Sequence, residues 1–442
     1  MRHFVAFCSV VLLTACTLTP STALPQATQA SITETVSTND ATATPLDATE
    51  TPLSDNPTAT VDTQTVPSGG EILVLSSGDL VGVAVTDSSR RTIMSGVSAF
   101  AASPDGLTIA AIRGKGASGE LWTVRRDGSD AKQHTDDQRS LASLQWLPDS
   151  SGFLYAASNT DSVQQTTWLE WAAFCRQSTI IRRNRTDPKE YPMGEGCDPA
   201  VSPDGKRIAY ATRPSRTDAS AADPGNTAGN AIHLINMAGE NGWDPVSATG
   251  AEPGQEGQGL VVYHPVWTPD SKHLLVSVFV GNRVETDINM LTQVDASAGT
   301  SKLLGTSAGW NRAIQQTRDG ATYLLTTQNT GNARGSQGWD TWQTSVFTMT
   351  GVRDIYLPDG VFEAIGTAIG ETLNRAQFAA WDPDGTAVAV VMPPDWDPAI
   401  APNEDYGRVD EPGELWLWRI GEIPTTKLST PVDAASPIQW VP

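Results

Sequence analysis

The chain has 442 residues with 38 Gly, 29 Pro and 14 Trp, and its 29 Lys and Arg against 50 Asp and Glu leave a formal net charge of -21. Such acidity excludes nucleic acid as a partner, because phosphate binding needs clustered Lys and Arg. The 39% apolar fraction is enough for a core, and the excess of Gly, Pro and Trp over Lys and Glu points to many short strands and turns.

Arg2 and His3 precede an apolar run at residues 4–13, which is too short to span a bilayer and has the length of a signal-peptide core. The string Leu13-Thr14-Ala15-Cys16 that follows resembles the lipobox of bacterial lipoproteins: a large apolar residue, two small ones, then the cysteine that is lipidated. The resemblance implies acyl chains on Cys16, and several chains anchor stably where one binds reversibly. The alternative is an ordinary secretory signal with a chance cysteine. Residues 17–67 hold 15 Thr, 6 Pro and six acidic residues, without Lys, Arg, Gly or an aromatic residue. That composition cannot offset its ordering entropy and predicts a disordered spacer. The expected division is a signal at 1–15, a lipidated cysteine and tether at 16–69, and a folded domain at 70–442.

Within the folded part a short motif recurs: Ala102-Ser103-Pro104-Asp105-Gly106, Trp146-Leu147-Pro148-Asp149-Ser150, Val201-Ser202-Pro203-Asp204-Gly205, Trp267-Thr268-Pro269-Asp270-Ser271 and Trp381-Asp382-Pro383-Asp384-Gly385. A sixth copy, Gln316-Thr317-Arg318-Asp319-Gly320, lacks the Pro. Each joins two β-prone runs as a tight turn, in which Pro presets φ, Asp bonds its own backbone and Gly takes positive φ. Third strands follow, such as Glu120-Leu121-Trp122-Thr123-Val124 and Glu414-Leu415-Trp416-Leu417-Trp418, then a short fourth. A four-stranded meander of this kind is the blade of a β-propeller. The pattern resembles the Pro-Asp repeat of the TolB-like propeller family, also called WD40-like or PD40 repeats. In that family the propeller engages a peptidoglycan-associated lipoprotein and translocation proteins. Its separate N-terminal domain has no counterpart here, where the tether stands in its place.

The segment Pro437-Ile438-Gln439-Trp440-Val441-Pro442 reads as a first strand halted in mid-motif, and residues 72–75, 80–85 and 91–94 supply the missing second, third and fourth strands. The expected fold is all-β: a propeller of seven four-stranded blades closed by pairing of the two ends, which leaves no exposed sheet edge. Six or eight blades follow if the degenerate copy is misread, and a stack of unrelated sandwiches is the bland alternative. Trp146, Trp267, Trp381 and Trp440 share one repeat position and read as packing residues.

Long insertions are expected between second and third strands (213–230, 329–342, 393–413) and between blades (183–197, 250–263, 357–377), all on one face. Variable loops on a rigid scaffold carry binding, so Trp310, Trp339, Trp342 and Trp396 are candidate contacts, against the alternative that they cap loop cores. The acidic run Asp395, Asp397, Glu404, Asp405, Asp410, Glu411 and Glu414 lacks the spacing of a calcium loop and reads as solvated. Asp105, Asp149, Asp204, Asp270 and Asp384 read as turn formers.

No catalytic residue, metal ligand or cofactor emerges. Gly305-Thr306-Ser307-Ala308-Gly309 matches the nucleophile-elbow string, yet every His precedes Ser307 in a strand-and-linker context. Paired carboxylates assembled from distant loops stay open. Cys175 and Cys197 are the two cysteines left outside the leader and are expected to form a disulfide, as thiols outside the cytoplasm commonly do. The reading is a lipid-anchored envelope module that binds an envelope protein or surface ligand without turnover. The alternative is an envelope hydrolase or lyase acting at the long-loop face.

Overall fold

Runs such as Ile109-Ala110-Ala111-Ile112 and Val388-Ala389-Val390-Val391 are apolar without alternation and buried at every position, the pattern of strands covered on both faces. The computed structural model describes residues 70–114, 118–136, 139–159, 168–214, 229–248, 259–280, 288–308, 310–330, 340–348, 371–374, 376–394, 412–419, 426–433 and 436–442. In chain order the strands are β1 (Glu71–Ser76), β2 (Asp79–Ala84), β3 (Arg90–Met94), β4 (Val97–Ala102), β5 (Thr108–Arg113), β6 (Glu120–Arg125), β7 (Lys132–Gln133), β8 (Ser140–Trp146) and β9 (Gly152–Ser158). The helix α1 (Trp168–Cys175) precedes β10 (Ser178–Asn184), β11 (Glu190–Val201), β12 (Arg207–Thr212), β13 (Asn230–Asn236) and β14 (Trp243–Ala248). There follow β15 (Gly259–Trp267), β16 (His273–Val280), β17 (Ile288–Asp295), β18 (Ser301–Ala308), β19 (Trp310–Gln316), β20 (Thr322–Thr330), β21 (Asp340–Thr348) and β22 (Glu371–Asn374). The last are β23 (Ala379–Trp381), β24 (Ala387–Met392), β25 (Gly413–Arg419), β26 (Thr426–Val432) and β27 (Gln439–Val441).

These strands make five four-stranded antiparallel sheets and one seven-stranded sheet, β8 to β14. The latter is two meanders sharing one strand. Residues 190–195 of β11 pair with β10, and residues 196–201 pair with β12. Counting β11 in both, the described strands group by fours throughout. The first strands of successive groups neighbour one another around the axis, the arrangement of a β-propeller. Closure is by β27, which pairs with β1 through Glu71↔Val441, Ile72↔Trp440 and Leu73↔Gln439.

Four of the turns are held by one repeated set of bonds. Ser202 is fully buried, and its hydroxyl accepts the Arg207 N–H at 2.9 Å and donates to Asp204 Oδ1 at 2.6 Å, while Asp204 Oδ1 accepts the Lys206 N–H at 3.1 Å. Ser103, Thr268 and Thr317 repeat this geometry, the last without its Pro. In the copy at 381–385 the capping carboxylate is Asp382 rather than Asp384: it stands in the hydroxyl position and accepts the Thr386 and Ala387 N–H groups at 2.6 and 3.0 Å. Trp146 and Trp267 donate from Nε1 to Ala101 O and Ala200 O of the preceding blade, at 2.8 and 3.0 Å.

Two expected loops and the placing of one cysteine are corrected. Residues 183–197 are not a blade-to-blade loop but the end of β10, a turn and most of β11. Pro192 and Gly194 flank the register shift of the β10–β11 ladder, and a Cβ at Gly196 would stand 2.1 Å from Ala211 O. The expected blade-to-blade loop at 357–377 contains β22, the fourth strand of its sheet, paired with β21. Cys175 ends α1, ahead of the third strand, where the apolar spacing of Trp171, Ala172, Phe174 and Cys175 makes a helix face. Gly305 to Ala308 lie within β18, so the G-x-S-x-G string forms no elbow.

Candidate functional site

The first strands carry bulges, and at three of them a residue other than glycine takes positive φ: Ser143 (54°), Asp198 (52°) and His264 (46°). Each stands four residues before its turn hydroxyl position, at Leu147, Ser202 and Thr268, so the three lie in one row across successive blades. Left-handed backbone at non-glycine residues costs energy and gathers at functional sites.

Asp198 is the hub of the row. Its Oδ1 accepts from Ser143 Oγ at 3.1 Å, and its Oδ2 accepts from Trp171 Nε1 at 2.7 Å and from the His264 N–H at 3.2 Å. The His264 ring presents Nε2 to the same Oδ2 at 3.4 Å and Nδ1 to Asn311 O at 3.0 Å. The Asn311 N–H donates to Tyr263 OH at 3.0 Å, and its Nδ2 donates to Ser277 Oγ at 3.0 Å. Asp198 is 4% exposed and His264 20%. Burial holds the His264 imidazole below its ordinary value, with the Asp198 charge pulling the other way. Burial likewise brings the Arg312 guanidinium down to about 10, opposed by Glu170 of α1.

The helix α1 roofs this row. It leaves from the blade of β8 to β11, yet Trp171 bonds Asp198 on β11, and its ring lies 5.8 Å from Tyr263 on β15 and 6.0 Å from Trp310 on β19. One helix therefore touches the first strands of three blades. The Cys175–Cys197 disulfide joins its last residue to the one preceding Asp198.

Chemically the row holds Ser, Asp and His in an order that does not activate a nucleophile. Asp198 stands between Ser143 and His264, whereas an activated serine needs the imidazole on its own hydroxyl. Among the described residues no three His, Cys, Asp or Glu side chains gather as a metal would require.

Of the residues singled out from sequence, Trp310 is a correction: it is 4% exposed and stacked on Tyr263 at 3.8 Å, a wall of the interior rather than a surface contact. Trp342 belongs to β21, paired with Gln328. Trp339, Trp396, Cys16 and most of the acidic run lie outside the described residues. Glu414 of that run is in β25, bonded to Lys427 Nζ at 2.5 Å and Trp416 Nε1 at 3.2 Å. Asp105, Asp149, Asp204 and Asp270 all sit at the turns and all have lowered carboxyl values, for Asp204 chiefly through the Ser202 hydroxyl. The row itself was missed, since nothing in the local sequence marks Ser143, Asp198 or His264.

No protein-family model matches the chain, and no curated protein matches it. Solved structures do. The tricorn protease is 11% identical with a TM-score of 0.50, over 84% of this chain and 34% of that one, so the chain spans about a third of its length. An oligogalacturonate lyase in complex with manganese is 13% identical with a TM-score of 0.49, over 71% and 79%. TolB from Acinetobacter baumannii is 14% identical with a TM-score of 0.43, over 77% and 67%. At such identities the likeness is of fold alone. The sheet order and the end-to-end pairing define the class: a closed β-propeller. No helix among the described residues is long and apolar enough to cross a membrane.

Proposed function

We propose that the chain is a lipid-anchored, extracytoplasmic propeller of seven blades that binds an envelope protein or surface ligand, without turnover, at the face carrying α1. The observation that carries this reading is α1 itself. It is an ordered helix held by a disulfide and by Asp198, on the face where connections from second to third strands and from blade to blade gather, and rigidly supported loops are where binding concentrates. The internal pairing of Asp198 favours a strut over a reactive group, and the string ending at Cys16 supplies the anchor.

The reading is tested in the native envelope. Replacing residues 160–177 by a short turn should abolish cross-linking to a defined partner, while Asp149→Ala on the opposite face should leave it intact. Cys16→Ser should move the protein out of the membrane fraction and remove incorporation of labelled fatty acid. Turnover of a glycan or peptide that a single Asp or Glu change abolishes would establish the enzymatic alternative instead.

A further inference from the structure

Strands of two neighbouring blades bring three cations together. β7 supplies Lys132, and His134 two positions on continues its ladder through an N–H bonded to Leu121 O at 2.7 Å, so both side chains leave by one face. β10 supplies Arg183, whose cross-strand partner Phe153 lies edge-on to the His134 ring at 5.2 Å. Arg185 follows two residues on, its N–H bonded to Ser151 O at 2.9 Å. Burial, then Arg183, Lys132 and Arg185, lowers the His134 imidazole, which sets the three cations in one neighbourhood.

Arg183 is the unexplained member. Its side chain is 8% exposed, its Nε has no hydrogen-bond partner, and Glu190 Oε1 stands 3.6 Å from its Nη1. That oxygen is already taken: it accepts from Arg139 Nη2 at 2.8 Å and from Tyr155 OH at 2.5 Å, while Oε2 accepts from the same Arg139 nitrogen at 3.0 Å. Glu190 and Arg139 therefore cancel. Arg183 is left as a buried floor, with Arg185 and Lys132 exposed at the rim, and a buried guanidinium calls for acceptors on its donors. Asp105, on which Arg185 acts, is held in its own turn by Ser103 Oγ and the Leu107 N–H.

We propose that Arg183, Arg185 and Lys132 form a binding site for one phosphoryl group, as the free ion or a monoester. A tetrahedral dianion has oxygen atoms for the buried fork and for both rim cations, whereas a carboxylate, with two oxygens, fills the fork alone. The chain's net charge of -21 repels a long polyanion, so the fit is to a compact group. This goes beyond the binding reading above, in which none of the three residues takes part.

Thermal unfolding and calorimetric titration of the full chain with inorganic phosphate, at constant ionic strength, read this out. Phosphate should raise the unfolding midpoint in a saturable way, and Arg183→Gln should abolish the rise. Arg185→Gln and Lys132→Gln, at exposed positions that folding does not need, should each weaken binding ~tenfold. Lys206→Gln, an exposed lysine elsewhere, should leave it unchanged. Glycerol 3-phosphate binding as tightly as inorganic phosphate assigns the site to a monoester, and its exclusion assigns it to the free ion. No saturable rise, equal stabilisation by acetate, or wild-type affinity in both rim variants would each overturn the proposal. Partner cross-linking uses none of these residues, so failure here leaves the binding reading standing.

Discussion

At the scale of single residues, the unit that repeats is the hydroxyl two positions before the turn aspartate. Ser202 and Thr268 are buried and bond a backbone N–H that has no other partner in the turn. Ser202→Ala and Thr268→Ala should each cost about 1–2 kcal/mol in urea unfolding, the penalty for stranding that group. His134 gives a pH prediction. Its ring lies edge-on to Phe153 at 5.2 Å and bonds Thr123 Oγ1 at 2.9 Å, and burial, then Arg183, Lys132 and Arg185, bring its value from 6.5 to about 4. The folded state holds this ring neutral. Stability is full above pH ~6.5 and declines as pH falls toward ~4, and His134→Gln should flatten that part by on the order of 1 kcal/mol after solvent screening. The Pro-Asp strings are legible because their chemistry is contiguous. The Ser143–Asp198–His264 row is not, because its members lie 55 and 66 residues apart and bulges at non-glycine residues leave no compositional mark.

At the scale of elements, the strands were legible from apolar runs between punctuated turns, while α1 and β11 were not. A short helix of Trp, Ala, Phe and Cys resembles a buried strand, and β11 carries Pro192, Gly194, Gly196 and Pro199, which imitate a loop. The element bonds make two predictions. Replacing both Cys175 and Cys197 by Ser opens a loop whose ends are 22 residues apart and should lower stability by about 3 kcal/mol, read by denaturation with the ring still folded. In the closing blade, a Cβ at Gly82 would stand 1.9 Å from Glu71 Oε1. Glu71 has no room to yield, being fully buried and bonded to Arg91 at 2.6 and 2.7 Å and to Arg126 at 2.9 Å. Gly82→Ala should therefore cost at least ~3 kcal/mol, measured by thermal unfolding.

At the scale of the molecule, one side chain clasps the seam where the ends meet. Arg126, from the adjacent blade, bonds Glu71 on β1 and also donates to the main-chain oxygen of Pro442. Removing residues 437–442 should bare the edge of β1 and produce concentration-dependent association in light scattering, since an unpaired apolar edge recruits other strands. Ring closure could be read from the complementary ends of the sequence, but the clasp could not, because it needs Arg126 brought in from another blade.

The shared strand β11 gives the ring a mechanical asymmetry. Elsewhere among the described residues neighbouring blades meet through side chains and single backbone bonds, such as the Val97 N–H to Gly78 O and the Asp433 N–H to Leu75 O, rather than through a continuous ladder. At β11 the backbone ladder passes unbroken from one sheet into the next, so the two blades it joins move as a single stiff leaf. Breathing of the ring should fall on the other seams, and α1 is hung from this stiff leaf.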